Sequence, residues 1–310
     1  MRLAGILKPE YFYQPKLAIG RLLPWRSRSV RAAQSSPTGE FVDEQLPWGM
    51  PIRIRPVEEH GRILLTLGVI DLAVTETLWR LTEPGELAVD VGANIGYMTA
   101  VLAARVGSMP GGCVRAFEAH PEIFEELKYN TLRWQKQLTG VKIDIQQVAI
   151  SDKRGTVKLV IPDAFSSNRG LAYASKSDEE LNHLKSVIVE AVTLDELFTQ
   201  REKIGVFKLD VEGHEFQVLE GANSLLKEQR VRDCVFEEHG EYPTAVTRYF
   251  EEMGYSVFRI QRQFFKPVLL APNSKVARTK WLPTSFLATQ QPERALSRIK
   301  EPGWQCLKGQ

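Results

Sequence analysis

Cysteine is scarce in this 310-residue chain, which has only Cys113, Cys234 and Cys306. Three so widely spaced thiols exclude a disulfide framework and a four-ligand zinc site. Cys113 and Cys234 fall in apolar runs, where cysteine behaves as a small hydrophobe. Long apolar stretches are also missing, so no membrane span is expected. The N-terminal apolar run stops at Lys8-Pro9, too short for a secretory leader, and the expected location is the cytoplasm. An excess of one charge is lacking as well: 40 basic against 38 acidic side chains leave a formal +2. That balance gives no general push toward nucleic acid. Internal repeats are absent, and the only biased tract is the polar, Ser-rich linker Arg26–Gly39.

The one charge imbalance is local. Residues 1–36 hold Arg2, Lys8, Lys16, Arg21, Arg26, Arg28 and Arg31 against Glu10 alone. With Pro15, Pro24, Pro37 and Pro47 interrupting it, the stretch 1–48 reads as a basic accessory segment. A single domain is expected over 49–290, followed by a tail at 291–310.

Within that domain strands and helices alternate, which predicts a doubly wound α/β fold of the Rossmann-like class with a mostly parallel sheet of seven strands. Met50–Arg55 and Arg62–Leu67 read as a small hairpin, and Gly68–Leu81 as a helix. Strands are expected at Leu87–Val91, Cys113–Phe117, Val141–Ile150, Ile204–Val211, Asp233–Glu237 and Tyr255–Ile260. Thr284–Ala288 is a seventh, antiparallel strand. Val157–Ile161 and Ser186–Val192 read as extra strands around a polar loop, Pro162–Lys185, which is a candidate lid. Pro121 opens a long helix.

The stretch Leu87–Tyr97, LAVDVGANIGY, organises the rest. An apolar run ends in Asp90, then a glycine turn restarts as a helix, which is the first half of a βαβ unit. Such glycines let the backbone approach a ligand held over the strand ends. An ordinary turn whose glycines serve packing is the plain alternative. A dinucleotide fingerprint needs G-x-G-x-x-G; here Gly92 and Gly96 flank Asn94 and the third glycine is missing. An acid at the strand end suits a cation better than a diphosphate, which favours S-adenosylmethionine. Glu118 closes the second strand, where a carboxylate accepts hydrogen bonds from both ribose hydroxyls. Val148-Ala149 would flank an adenine. Ala93 and Tyr97 complete the candidate cofactor site with Asp90, Gly92, Asn94, Gly96, Glu118 and Ala149.

A third cluster, KLDVEGHE from Lys208 to Glu215, places Lys208, Asp210 and Glu212 on one side of the pleat. Charges on a buried strand are costly unless paired or used, so a mutual Lys–Asp pair and an acceptor-facing wall both remain open. Glu237, Glu238 and His239 end the neighbouring strand. Candidate catalytic residues are His214, Asp210, Glu212, Lys208 and His239. The histidines lead as general bases, since imidazole titrates near neutrality. A divalent metal on Asp210, Glu212 and Glu237 is the less favoured route.

DVGANIGYMT, AFEAHPEIFEELKYN, VAISDKRG and FKLDVEGHEFQVLEGA, taken in order, resemble the successive signatures of FkbM-type S-adenosylmethionine-dependent methyltransferases. The resemblance extends from Arg62 to Thr289 and includes TLDEL at 193–197 and FLAT at 286–289. It implies a seven-stranded doubly wound sheet and O-methylation of a hydroxyl on a sugar, glycolipid or polyketide-type product. It also implies cofactor contacts at Asp90, Gly92, Asn94, Gly96 and Glu118, and a site lined by Lys208, Asp210, Glu212 and Glu215. Residues 1–48 and the Gln261–Leu282 excursion, with Phe264, Phe265 and Trp281, lie outside it. The expected partner is a small hydroxylated molecule. Alternatives are N-methylation of a peptide or nucleic acid and a non-catalytic cofactor-binding module. The acceptor's identity and the oligomeric state stay open.

Overall fold

The computed structural model describes residues 8–14, 41–162, 173–174, 185–275 and 284–308. Its centre is an eight-stranded sheet. β3 (Leu87–Val91), β4 (Cys113–Phe117) and β5 (Lys142–Gln146) run outward on one side, and β10 (Ile204–Leu209) and β11 (Val231–Glu238) on the other, all five parallel. β14 (Thr284–Thr289) slots antiparallel between β11 and β12 (Ser256–Arg262), and β13 (Pro267–Leu270) extends the edge as a hairpin with β12. The order β13-β12-β14-β11-β10-β3-β4-β5 reverses between β3 and β10. Open α/β sheets bind their ligands at such a reversal, beyond the carboxyl ends of the strands. The eighth strand is the one departure from the seven expected: Pro267–Leu270 belongs to the excursion, and it pairs with β12 rather than looping free.

Alternating side chains dress the two faces of the sheet. Ala88, Val206 and Val235 pack under α3 (Leu72–Leu81) and α4 (Tyr97–Val106). On the other face, Val89, Phe207, Cys234 and Phe236 pack with α6 (Leu194–Leu197), α7 (Glu215–Glu220), α8 (Asn223–Lys227) and α9 (Ala245–Glu252). α5 (Pro121–Gln137) follows β4, with Pro121 in the first turn and Ile123, Leu127 and Trp134 buried.

Several local expectations change. Arg62–Leu67 is not a strand but the end of α2 (Glu59–Leu67), which Gly68 closes in the left-handed conformation (φ 75°). The strand Pro51–Ile54 (β2) pairs instead with Val42–Gln45 (β1), so the domain takes a strand from before residue 49. The stretch 141–150 is two strands. β5 ends at Gln146, and β6 (Ala149–Ile150) joins a second sheet with β9 (Lys185–Val192), β7 (Gly155–Ile161) and β8 (Tyr173–Ala174). Gly221 sits at the seam of that second sheet, where a Cβ would run into the Ser151 carbonyl.

Of residues 291–310, expected as a tail, the described part to 308 supplies a packed element. α10 (Pro292–Lys300) and the turn after it bury Ala295, Ile299, Trp304, Cys306 and Leu307. Inside α3, Glu76 and Arg80 form a fully buried pair at 2.6 Å. Arg80 donates to the carbonyls of Glu301 and Gly303 at 2.6 Å each, and Glu76 accepts from the amides of Gln305 and Cys306 at 2.8 Å each. The candidate lid at 162–185 and Trp281 lie mostly or wholly outside the described residues, as does most of the basic arm.

Candidate active site

A cavity of about 720 Å³ opens over the carboxyl ends of β3, β4, β10 and β11, at the reversal of strand order. Gly92, Ala93, Asn94, Tyr97, Glu118, Ala149, Lys208, Asp210, Glu212, His214 and His239 all reach its wall. Eleven of the thirteen residues expected at the site therefore meet around one space. Asp90 and Gly96 do not line it.

Asp90 is fully buried, one layer below the cavity. Its Oδ2 accepts from the Thr99 hydroxyl at 2.6 Å, and its Oδ1 lies 3.7 Å from the Lys208 ammonium. Burial outweighs both partners and holds its carboxyl above the usual range. Asp90, expected at the cofactor site, thus stands behind Lys208 and not on the cavity wall. Asp90 and Lys208 are register partners on adjacent parallel strands. The lysine bridges on to Asp210 at 3.1 Å and donates to the Gly92 carbonyl at 3.2 Å. Burial would depress the lysine, but Asp210 and Asp90 more than offset it and raise its pKa. For Asp210, burial pushes upward, yet the Lys208 charge and hydrogen bond win and lower the pKa. The Lys–Asp pair and the cavity wall are thus one object.

The packing of the turn requires both glycines. Both have left-handed backbones, φ 78° at Gly92 and 95° at Gly96. A Cβ on Gly92 would collide with the Asp210 carbonyl, and one on Gly96 would meet Leu127 and Trp134 of α5. The turn is bolted to its neighbours: Gly92 and Ala93 donate to the Phe117 carbonyl at 3.0 and 2.9 Å. Tyr97 is likewise mainly a core side chain, its hydroxyl 3.0 Å from that of Thr75 and its ring tilted on Trp48.

Glu118 is held at the end of β4 by two amides, accepting from Asn94 at 2.9 Å and from His120 at 2.7 Å. Burial raises its carboxyl despite these bonds. Each oxygen keeps acceptor capacity toward the cavity. Beside it, Phe117, Val148, Ala149, Val157 and Leu159 form an apolar lining, the last three from the second sheet. A carboxylate next to an apolar slot fits a ribose carrying an adenine, and the carboxyl-rich floor beyond fits the cationic end of S-adenosylmethionine. The residues present suit that group.

Across the reversal, carboxyls crowd together. Glu212, itself left-handed at φ 50°, is pushed up to about 7 by burial and then by Asp210 and Glu215. Glu237 is pushed up to about 9 by burial and the charges of Asp210 and Glu212, and it shares a hydrogen bond with Asp210. Glu215 lies beneath the loop and accepts from the amides of Val211 and Gly213 at 3.2 Å each. The leading histidines are less well placed. His214 Nε2 is 2.9 Å from the Ser151 hydroxyl, and His239 sits at the rim, 59% exposed and 3.8 Å from Glu212. Among the described residues no group of three or more His, Cys, Asp or Glu side chains is arranged to hold a metal ion.

The wall also holds His60 and Asp71, which carry no signal in the sequence, and Arg259 and Arg262 from β12, where the basic, aromatic excursion starts. His60 comes from α2, whose sequence reads as a turn and a strand. Its imidazole faces Asp210, Lys208 and Glu59; burial lowers its pKa and keeps it neutral at pH 7. Asp71 caps α3, accepting from the amides of Ala73 and Val74 at 3.1 Å each.

A model of the methyltransferase FkbM domain matches residues 90–257, more than half of the chain. The chain belongs to the FkbM methyltransferase family. It is thus an S-adenosylmethionine-dependent methyltransferase. It is 27% identical over 241 residues to the hexuronic acid methyltransferase AglP of Haloferax volcanii, covering 77% of this chain and 89% of that protein. It is 30% identical over 182 residues to the 31-O-demethyl-FK506 methyltransferase FkbM of Streptomyces tacrolimicus, covering 51% and 66% respectively. A crystal structure of a methyltransferase FkbM from Methylobacillus flagellatus superposes with a TM-score of 0.41 at 13% identity, over 66% of this chain and 44% of that one. The FkbM match begins at Asp90 and stops within β12, so the wall supplied by α1 (Pro9–Tyr13) and α2 lies outside it.

Proposed function

We propose that this FkbM-family enzyme methylates a hydroxyl on a sugar, glycolipid or polyketide-type product. The observation that carries the reading is the wall made by Asp210, Glu212, Glu237 and His60, across the sheet from the Glu118 slot. Carboxyls and a neutral imidazole accept hydrogen bonds from a polyol and can take the proton that a hydroxyl must lose. The names of two relatives, one a hexuronic acid methyltransferase and the other acting on a 31-O-demethyl product, support an oxygen acceptor.

S-adenosylmethionine supplies an electrophilic methyl group. Glu118 would hold its ribose, with Val148 and Ala149 against the adenine. Lys208, fixed between Asp90 and Asp210, keeps the Gly92 carbonyl and the Asp210 carboxylate in place, so the floor of the site is set before any ligand arrives. Positioning of this kind contributes on the order of 7–11 kcal/mol in favourable cases. His60 is the base we assign to the acceptor proton, with Asp210 facing the imidazolium that would form.

The test is transfer of labelled methyl to hexuronic acids, glycosides and a hydroxylated macrolide, followed by His60→Ala on whichever acceptor is found. Loss of the base should lower kcat by roughly 10²–10⁴-fold, leave cofactor affinity unchanged, and remove the acid limb of the pH profile. A kcat within threefold of the wild type would clear His60 of the role.

A further inference from the structure

Three phenylalanines on two adjoining elements are displayed to solvent, and the rings of Phe264 and Phe265 touch, their centroids 5.0 Å apart. Phe12 is 79% exposed, Phe264 48% and Phe265 68%. Isolated exposed apolar residues are ordinary, but a cluster of large rings marks a contact surface. These belong to two elements, α1 and the turn joining β12 to β13, which are pinned to each other and to the C-terminal turn. Arg262 donates to the buried Glu10 at 2.7 Å. The Trp304 indole and the Gly303 amide donate to the carbonyls of Phe264 and Phe265 at 2.9 Å each. A Cβ on that same Gly303 would lie 3.3 Å from the Tyr13 hydroxyl. The backbone behind the rings is therefore anchored while the rings face outward.

Cations surround them. Lys8 precedes α1, the Lys266 ammonium donates to the Lys300 carbonyl, and the Lys308 ammonium lies 3.5 Å from where a Cβ on Gly303 would stand. Among the nearby acids, Glu10 is occupied by Arg262, which leaves Glu301 exposed. The residues leading into and out of α1 carry most of the seven basic side chains of 1–36. Rigid aromatic rings flanked by lysines match the headgroup layer of an anionic bilayer, where rings sit at the interface and ammonium groups meet lipid phosphates.

We propose that this face docks on an anionic lipid bilayer, with Phe12, Phe264 and Phe265 entering the interfacial layer. Lys8, Glu10 and Arg262 also line the cavity. Docking thus turns the acceptor side of the site toward the membrane and favours an acceptor held there by a lipid. The docking rests on the surface alone, independent of the acceptor class proposed above. No described helix is long and apolar enough to cross a membrane.

Cosedimentation of the full chain with vesicles tests it, using phosphatidylglycerol–phosphatidylcholine mixtures against phosphatidylcholine alone. The wild type should bind the anionic vesicles, weakly or not at all the neutral ones, and less as salt rises. Phe264→Ser/Phe265→Ser should lose roughly tenfold or more in affinity, and Lys266→Gln/Lys300→Gln several-fold. Unchanged cofactor affinity shows that each variant is folded; Phe12→Ser, on the other element, is the fallback if the double variant fails this check. Absence of wild-type binding overturns the proposal. So does vesicle binding unchanged by the serine substitutions, which would mean that the basic arm alone meets any polyanion.

Discussion

Glu237 is where the charge balance of the site can be read from outside. Its carboxyl is raised from 4.5 to about 9, so between those values the folded chain binds more protons than the unfolded chain. Stability then falls as pH rises through that window, and is least penalised below about 4.5. Glu212, raised to about 7, adds to the lower part of the same slope. Glu237→Gln should flatten the loss between pH 5.5 and 8.5 by on the order of 1–2 kcal/mol, after screening at a partly exposed group. Urea unfolding at the two pH values measures it, and parallel losses in both proteins would contradict the raised carboxyl. At this scale the chain is legible where chemistry is concentrated in one motif. Glu118 and the Lys208–Glu215 cluster stand out because an acid ending an apolar strand is costly unless a partner or a ligand meets it. Asp90 is legible as to strand but not as to depth, since strand alternation gives a face and not a layer. His60 offers no signal, because its place in the site depends on α2 folding over the sheet.

Among the elements, the turn after β3 carries most consequence. Gly92→Ala would combine a left-handed backbone with a collision against the Asp210 carbonyl, and either the turn or the end of β10 must move. Gly85 provides the control: its φ is 79°, but a Cβ there would stay 3.6 Å from its nearest neighbour, the Pro110 carbonyl. Gly85→Ala should cost about 1 kcal/mol. Gly92→Ala should cost roughly 2–4 kcal/mol and also weaken cofactor binding, because the displaced strands carry the site. Equal costs in chemical denaturation would show that the collision is relieved cheaply. Parallel strands and their helices are readable from apolar runs and punctuation. The run at 62–67 is not, since so short an apolar-rich stretch fits a strand or a helix turn, and only the left-handed Gly68 ends the matter. Strands 42–45 and 267–270 escape the sequence for a related reason: both are edge pairings, whose partners decide them more than their own composition does.

On the scale of the molecule, the pair Glu76–Arg80 joins the beginning of the domain to its last packed turn. Arg80→Met would leave a buried carboxylate without its cation and free four carbonyls, those of Arg298, Ile299, Glu301 and Gly303. A loss of about 3–5 kcal/mol is expected, with premature proteolysis at the C-terminal turn. Replacing both members, Glu76→Leu/Arg80→Met, should recover part of it. Failure of the single change to lower the unfolding midpoint would contradict the role of the pair. The same pair has a consequence for synthesis. Arg80 and its partner carbonyl at Gly303 are 223 residues apart. At roughly 5–20 residues per second, the arginine is added to the chain about 11–45 s before Gly303 is. Throughout that interval Arg80 lacks the carbonyl partners between 298 and 303 that it has in the folded chain. Burial of Arg80 with all its partners satisfied therefore waits for the residues up to Gly303.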